Sequence, residues 1–179
     1  MSKHQLSNTI RNRRSVRSYF DIQISENDLK DILESGLYSP SGKSRQPWRF
    51  VIINNSEIIK TIAETTVYSR FVRNAPILIL VLASTNTEYP LEKDMISIGA
   101  CLQNILLTAT EKGYGSCIIG ELYNKAEILG GYVDFNINDY LLVCGIVIGV
   151  TKSIPKQRSK LKLKDFILRQ HRINCKVSV

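Results

Sequence analysis

The sequence predicts an α+β fold in which helices cover both sides of a central sheet. Two continuous apolar segments, Pro76–Ala83 and Tyr140–Val150, have the composition of strands buried on both faces. Helical segments outnumber the strands and separate them irregularly, without the strict alternation of a parallel sheet. Since the chain has 179 residues, near the roughly 150 of one domain, we expect a single domain over 1–179 with a basic C-terminal arm from about 156 to 179.

Capping residues and apolar spacing predict the individual elements. A first helix ends just before Arg13, and a second begins after Ser25, with Asp28 completing a capping box. The second helix ends at the breaker cluster 39–42. The later predictions, in chain order, are a strand at Trp48–Asn54, a helix capped by Ser56 and running to about Thr65, a strand at Pro76–Ala83, a long helix over 91–112 stopped by Gly113, a strand at Gly115–Gly120, a short helix at Asn124–Leu129, a strand at Tyr140–Val150 and, beyond Pro155, an edge strand or arm in which Leu161 and Leu163 alternate with polar residues.

The predicted helix over 91–112 has an unusually wide apolar stripe. Such a stripe predicts that the helix lies at the centre of the molecule or in a subunit interface. Its members are Ile96, Ile98, Cys101, Leu102, Ile105, Leu106 and Ala109.

Composition excludes several protein classes. With 44% hydrophobic and 22% charged residues, the chain is typical of soluble globular proteins rather than of disordered or collagen-like ones. The longest apolar runs are well short of the ~20 residues of a membrane-spanning helix. The polar N-terminus lacks the apolar segment of an export signal. We therefore expect a cytoplasmic protein that does not bind a membrane.

The four cysteines do not form a metal-binding pattern. No Cys-x-x-Cys pair is present, and only two histidines could join them, so we expect no metal site. Three of the four lie in apolar runs, where a free cysteine behaves as a small hydrophobic residue of a reduced protein. They are Cys101, Cys117, Cys144 and Cys175.

The net charge of +8 is concentrated at the two ends of the chain. Residues 1–17 have five basic side chains and no acid, and residues 152–179 have nine basic and one acidic. Residues 18–150 have ten basic and fifteen acidic side chains. This distribution indicates an anionic partner or a solvated tail. Nucleic acid is the generic candidate, but the aromatic residues are not interleaved with the basic runs as base stacking requires. A phosphorylated cofactor held by both ends is the more specific hypothesis.

The segment Arg13-Arg14-Ser15-Val16-Arg17 has the residues of a phosphate site. In an extended segment, alternate side chains present Arg13, Ser15 and Arg17 on one side. Arginine binds phosphate oxygens through two nitrogens and stays charged at any pH, so two guanidinium groups and a hydroxyl suit a phosphate dianion. The alternative is a solvated basic surface.

Three further motifs favour a bound ligand. The small polar loop 39–48 allows close approach of its backbone to a planar ligand, although it also suits a helix-ending loop with a buried Trp. The glycines of 113–121 flank a short strand and free backbone amides for a ligand, although turn glycines of a core strand give the same pattern. The basic pair Arg158 and Lys160 is either a ligand site or part of a disordered tail.

In order and spacing, these four motifs resemble the nitroreductase family of flavin-dependent oxidoreductases, from about Ile10 to Ile167. The family's Arg-x-Ser-x-Arg/Lys segment corresponds to Arg13, Ser15 and Arg17. The other family motifs correspond to Pro40, Ser41, Gln46, Pro47 and Trp48, then to Gln103, Asn104, Leu107, Gly113 and Gly115, and finally to Gly149, Arg158 and Lys160.

The resemblance implies a nitroreductase-like fold with a mostly antiparallel central sheet, in an intertwined homodimer that binds FMN at its interface. The cofactor-binding residues that it implies are Arg13, Arg14, Ser15 and Arg17 on the phosphate, ribityl chain and pyrimidine edge, Arg158 and Lys160 over the phosphate, Pro40, Ser41, Gly42 and Ser44 reaching the flavin from the partner subunit together with Gln46 of the same motif, and Ile118, Ile119 and Gly120 along the dimethylbenzene side and the N5 edge.

The resemblance also implies an NAD(P)H oxidoreductase that reduces small nitroaromatic or quinone-type acceptors by a ping-pong cycle. The flavin N5 performs the chemistry, so no catalytic side chain is expected, and a cation near N1 and O2 (Arg17 by position) stabilises the reduced ring. No Gly-x-Gly-x-x-Gly follows a strand, so NADH or NADPH has to bind transiently over the flavin.

Departures from the family pattern keep other functions open. Ser44 replaces an asparagine common in relatives, Gly42 has no hydroxyl where some members do, and the region between Ala83 and Leu91 is too short for a helical lid. Glu121 lies beside the predicted N5 region, as a group that tunes the flavin or as a solvated carboxylate. The alternatives are another dedicated flavin reaction, such as dehalogenation or dehydrogenation, a non-catalytic flavin-binding protein, or a nucleic-acid-binding protein.

Overall fold

The computed structural model describes residues 5–85, 88–157 and 159–169. A four-stranded sheet lies between two layers of helices, and no helix in these ranges is both long and apolar enough to cross a membrane. The strands are β1 (Trp48–Ile53), β2 (Ile77–Ser84), β3 (Tyr114–Ile119) and β4 (Tyr140–Val150). The helices are α1 (Gln5–Asn12), α2 (Glu26–Leu37), α3 (Ser56–Glu64), α4 (Ser69–Val72), α5 (Leu91–Glu111) and α6 (Ala126–Val133), with 3-10 turns at Gly42–Ser44, Gly120–Lys125 and Leu163–Phe166.

The sheet has the order β1-β2-β4-β3, and every neighbouring pair of strands is antiparallel. Along β2, every residue from Ile77 to Ala83 is buried, which explains why this strand is apolar at consecutive positions. The α+β class and the bounds of β2 and β4 are therefore confirmed to within one residue.

Two hydrophobic cores lie on opposite faces of the sheet. Successive side chains of β2 alternate between them, as the pleat requires. Leu78 and Leu80 face the core formed with α3, α4 and α6, whereas Ile79 and Val81 face the core formed with α2 and α5. Helix α5 is thus a central element of one layer, as its apolar stripe predicts.

One member of the predicted α5 stripe is not buried. Ile98, Cys101 and the four later members pack against α2 and the sheet, but Ile96 is 76% exposed. Two residues span about 200° on a helix, so Ile96 lies on the opposite side from Ile98. The predicted end of the helix is confirmed, since Gly113 follows the C-cap with a φ of 84°.

The predicted cap residue is confirmed for α2 and is wrong for α3. The Ser25 hydroxyl accepts a hydrogen bond from the Asp28 backbone nitrogen, which confirms the predicted cap of α2. The cap of α3 is Asn55 and not Ser56, because the Asn55 side chain accepts from the nitrogens of Glu57 and Ile58. Asparagine caps as well as serine does, so local rules do not separate the two positions.

Two elements near the C-terminus differ from prediction. The helix predicted at Asn124–Leu129 begins at Ala126, after the 3-10 turn that starts at Gly120. Within 159–169 the arm forms no strand: Leu161 and Leu163 are both exposed, and the 3-10 turn Leu163–Phe166 follows. The edge-strand alternative is therefore wrong for these residues, and an extended arm remains.

Three cysteines are buried free thiols, as expected. Desolvation raises the pKa of Cys101 and of Cys144 to about 12, so both stay protonated and act as small apolar side chains. Cys175 lies outside the described residues.

Asp28 links the start of α2 to the end of α5 and the start of β3. Its carboxylate accepts hydrogen bonds from Lys112 Nζ (2.8 Å), Tyr114 Oη (2.8 Å) and Ser25 Oγ (2.9 Å). The hydrogen bond from Lys112, followed by those from Tyr114 and Ser25, lowers the pKa of Asp28 to about 2. The charged carboxylate therefore stabilises the packing of α2 on α5.

We expect Asp28→Asn to lower the Tm by a few degrees at neutral pH. Because the folded pKa lies below that of an unfolded aspartate, the stabilisation is present above about pH 4 and is lost as the pH falls towards about 2. Thermal unfolding followed by circular dichroism between pH 2 and 7 measures the difference. The control is Asp21→Asn, an exposed carboxylate. A Tm difference that stays constant down to pH 2 would contradict the assignment.

Candidate functional site

The two ends of the described chain meet at one cleft of about 250 Å³, which we call the basic cleft. Five of its eight lining side chains are cations, and none of the described side chains lining it is acidic. The charge that the sequence concentrates at both ends is therefore focused on one site. The lining consists of Arg13, Arg14, Ser15 and Arg17 from the segment after α1, and of Pro155, Lys156, Gln157 and Lys160 from the segment after β4.

Backbone pairing at the edge of the sheet brings these two segments together. The Val16 nitrogen donates to the Ser116 oxygen of β3 (2.9 Å). Further along, the Phe20 nitrogen donates to the oxygen of Val150 (2.8 Å), at the end of β4. The chain that leaves β4 must therefore run beside the arginine segment. Gly115 permits this approach, since a Cβ there would lie 2.7 Å from the Cβ of Val16.

The charges of the basic cleft are not compensated within the described part of the chain. None of its five cations is within ion-pair distance of a described carboxylate. Arg14 Nη1 donates to the backbone oxygens of Arg11 (2.6 Å) and Arg13 (2.8 Å), while its buried Nε has no described partner. The Arg17 guanidinium lies 5.7 Å from the centre of the Phe71 ring. An anion with several oxygen acceptors fits this donor set.

The structure brings together most of the residues that the sequence predicts for the phosphate. Arg13, Arg14, Ser15, Arg17 and Lys160 share the cleft, whereas Arg158 lies outside the described residues. Pro155, Lys156 and Gln157 also line the cleft but belong to no predicted motif, and their only signal in the sequence is the basic charge after β4.

The arginine segment continues along β3 to a second group of predicted residues. Because Ser15 pairs with Ser116 in parallel, the chain after Ser15 runs in the same direction as β3. Arg17 is therefore level with Ile118. Ile118 is 39% exposed, and a Cβ on Gly120 would meet open space. The Ile119 side chain is buried in the core, so only its backbone is available to a ligand.

Glu121 follows this group and is held by two neighbours. Its carboxylate accepts a hydrogen bond from the Thr66 hydroxyl and lies 3.7 Å from Lys125 Nζ. Glu121 is therefore a half-buried carboxylate that Thr66 and Lys125 hold in place between β3 and α6.

The loop 39–48, which we call the Pro-Ser loop, does not reach the basic cleft of its own chain. Its residues 40–42 line a depression with Ile96 and Ser97, near the start of α5. Arg14 instead shares a small cavity with Thr110, near the end of α5. Ser97 and Thr110 are thirteen positions apart in α5, a rise of about 20 Å. One chain therefore holds the two predicted parts of the site at opposite ends of α5.

The Pro-Ser loop has an unusual backbone. Lys43, Ser44 and Gln46 have φ values of 53°, 54° and 50°, in the left-handed region that costs non-glycine residues roughly 1–3 kcal/mol each. Several contacts hold it. The Gln46 nitrogen donates to the Ser41 hydroxyl (3.1 Å), and Arg45 pairs with the fully buried Asp94 (3.4 Å). Backbone conformations of this kind concentrate at functional sites.

The family model described as the nitroreductase family matches residues 10–67 and 63–150. This chain belongs to the nitroreductase family. The match includes the arginine segment, the Pro-Ser loop and β3, and it ends just before the segment that adds Lys156 and Lys160 to the basic cleft.

Individual members of the nitroreductase family resemble this chain in sequence and structure. A protein of Archaeoglobus fulgidus assigned as an NADH dehydrogenase/NAD(P)H nitroreductase is 35% identical over 116 residues, 64% of this chain and 66% of the relative, just under two thirds of its length. A similarly assigned protein of Methanothermobacter thermautotrophicus is 27% identical over 147 residues, 82% of this chain and 77% of the relative. A Desulfovibrio desulfuricans protein, assigned as a nitroreductase and solved in complex with FMN, is 30% identical with a TM-score of 0.86, covering 94% of this chain and 98% of its own. The expected nitroreductase-like fold is confirmed.

We expect Gly115→Ala to detach the arginine segment from β3. The added Cβ would overlap Val16, and overpacking of this kind costs about 1–3 kcal/mol. The Val16 amide should lose protection in hydrogen exchange, and the Tm should fall. Gly131→Ala is the control, because its Cβ would meet open space in α6, where alanine favours the helix. Unchanged protection at Val16 would contradict the role of Gly115.

Proposed function

We propose that this protein is an FMN-dependent NAD(P)H oxidoreductase that reduces small nitroaromatic or quinone-type acceptors, with the site completed by a second copy of the chain. The observation that carries the proposal is the basic cleft, in which both ends of the chain supply cations that no described carboxylate neutralises. The FMN bound by the similar Desulfovibrio protein and the names of the archaeal relatives support it.

The basic cleft suits the FMN phosphate. A phosphate dianion needs several cations and hydrogen-bond donors, which Arg13, Ser15 and Lys160 provide from two chain segments. Lys156 adds charge at the same rim. Arg14 Nη1 already donates to two backbone oxygens, so Arg14 attracts the phosphate mainly through its positive charge. Arg158 is proposed for the phosphate from its motif alone.

We assign the flavin ring to the surface beside the end of β3, between Arg17 and the exposed Ile118 and Gly120. Bound FMN would accept a hydride from NADH or NADPH and pass two electrons and two protons to a quinone, or to a nitro group that becomes a nitroso group with loss of water. Arg17 places positive charge beside the pyrimidine edge and so favours the reduced ring. Exposed Ile118 and the open backbone at Gly120 offer an apolar surface and amide donors for the other edge. No protein nucleophile is required.

The separation of the Pro-Ser loop and the basic cleft supports the proposal of a homodimer. In the proposed homodimer, a second copy with its α5 antiparallel to the first would bring the loop of one chain to the cleft of the other. Apolar side chains next to the loop are exposed, including Tyr38 (88%) and Ile96 (76%). The residues proposed to reach the flavin of the partner subunit are Pro40, Ser41, Gly42, Ser44 and Gln46.

The freshly purified protein is expected to be yellow or to take up FMN, and to oxidise NADH or NADPH with menadione or a nitrofuran as acceptor. Removal of Arg13, a charge-assisted phosphate ligand, costs about 1.5–3 kcal/mol, so Arg13→Ala should weaken FMN binding about 10- to 100-fold in a fluorescence titration. Arg11→Ala, two residues earlier and outside the cleft, is the matched control and should change the Kd less than threefold.

Colourless protein that does not bind FMN would overturn the proposal. Flavin binding without turnover of either acceptor would favour a dedicated reaction, such as dehalogenation or dehydrogenation, or a non-catalytic flavin-binding protein.

The dimer is tested by Ile96→Glu. An unpaired charge in an apolar interface costs about 3–5 kcal/mol, so the dimer Kd should rise by at least about 100-fold in sedimentation velocity, and FMN binding should weaken with it. The matched control is Ile128→Glu, an exposed isoleucine of α6 on the other layer of the fold, which should leave the dimer intact. A monomeric wild-type protein that still binds FMN would contradict the assembly.

A further inference from the structure

A second cationic cleft, of about 490 Å³, adjoins the basic cleft and shares only Arg17 with it. We call it the second cleft. It is formed where the segment after α1, helix α4 and the chain after β4 meet. The side chains that matter for its chemistry are Arg17, Ser18, Arg70, Phe71, Asn74 and Lys152. None of the functions assigned to the basic cleft involves Arg70 or Lys152.

The three cations of the second cleft come from three separate elements and have no acidic partner among the described residues. None of Arg17, Arg70 and Lys152 is within ion-pair distance of a described carboxylate. By contrast, Arg73 of the same short helical segment pairs with Glu64 and donates to the Ser69 hydroxyl. Arg17, Arg70 and Lys152 are exposed, so their charges are available to a ligand that enters from solvent.

The donor set of the second cleft suits a ligand with more than one negative charge. A single carboxylate is neutralised by one arginine, whereas a pyrophosphate has two charges and several acceptor oxygens. A volume of about 490 Å³ lies within the roughly 300–1,000 Å³ of small-molecule sites. The Phe71 ring, with Arg17 above it, adds an apolar wall.

We propose that the second cleft binds the pyrophosphate of the nicotinamide dinucleotide donor. Arg17 lines both clefts and also lies beside the surface along β3 that is assigned to the flavin ring, so a ligand with its anionic part against Arg70 and Lys152 would extend to that ring. Many dinucleotide-binding proteins hold the pyrophosphate with a Gly-x-Gly-x-x-Gly loop, which this chain does not have. In the proposed site, the cations of the second cleft bind the pyrophosphate instead. This assignment rests on the proposed function.

The test uses the FMN-loaded protein and measures reduction of its flavin by NADPH in anaerobic stopped flow. Arg70→Ala and Lys152→Ala should each raise the apparent Kd of NADPH about tenfold, the effect of losing one partly solvated charge-assisted contact. Reduction by N-benzyl-1,4-dihydronicotinamide, which has no phosphate, should change less than twofold. Arg70→Lys should restore most of the NADPH affinity. Arg73→Ala removes the same charge from the next turn and should leave the Kd of NADPH within twofold.

An equilibrium measurement accompanies the kinetics. ADP-ribose has the pyrophosphate without the nicotinamide, so its binding in isothermal titration calorimetry should weaken about tenfold in Arg70→Ala and in Lys152→Ala. Binding should also weaken with added KCl more steeply in the wild type than in either variant.

Three results would overturn the inference. They are an unchanged NADPH Kd in both variants, an equal loss with the phosphate-free donor, and a loss confined to the oxidative half-reaction with an anionic acceptor such as 4-nitrobenzoate. Failure of the protein to bind FMN would instead reject the proposed function, while the ADP-ribose titration would still report on the second cleft.

Discussion

The pairing of residues 15–20 with the edge of the sheet is the constraint on which the site depends. Hydrogen bonds from Val16 to β3 and from Phe20 to the end of β4 bring the arginine segment beside the chain that leaves β4. Buried Val16 and Tyr19 anchor the same segment in the core. Without these contacts the cations of the basic cleft would separate, since like charges repel and no described carboxylate holds them together. The fold therefore imposes an arrangement that electrostatics alone opposes.

The Pro-Ser loop is likewise held by the fold in a conformation that is locally unfavourable. Its three left-handed residues cost conformational energy, and the pair of half-buried Arg45 and fully buried Asp94 leaves Arg45 Nε and Asp94 Oδ1 without described partners. Removing the Asp94 carboxylate from water is itself expensive. Asn104 of α5 adds a hydrogen bond to the Ser39 hydroxyl (2.9 Å), so the central helix holds the loop in this shape. Both candidate parts of the site are thus held by packing rather than by their own preferences.

Local rules were sufficient for the parts of the fold that depend on neighbouring residues. The Ser25 cap and the bounds of β2 and β4 follow from capping chemistry and apolar composition. The exposure of Ile96 could not be predicted, because apolar residues occupy more than one side of α5 and only tertiary packing decides which side faces the sheet. Similarly, the arginine motif identifies phosphate chemistry, but Lys156 joins it only through the pairing of distant segments.

The direction of α5 also explains why no single chain assembles the proposed site. Its start holds the Pro-Ser loop and its end lies beside the arginine segment, about 20 Å apart. In the proposed homodimer, a two-fold axis exchanges these ends, so an anionic ligand in the cleft neutralises the cations of one chain and contacts the loop of the other. Such a ligand binds the assembled form more tightly than the separate chain, and by mass action it stabilises the assembly. In that homodimer, cofactor binding and dimerisation are thermodynamically linked. The bound anion relieves the repulsion among the cations of the basic cleft, so this repulsion favours the dimer that contains the ligand.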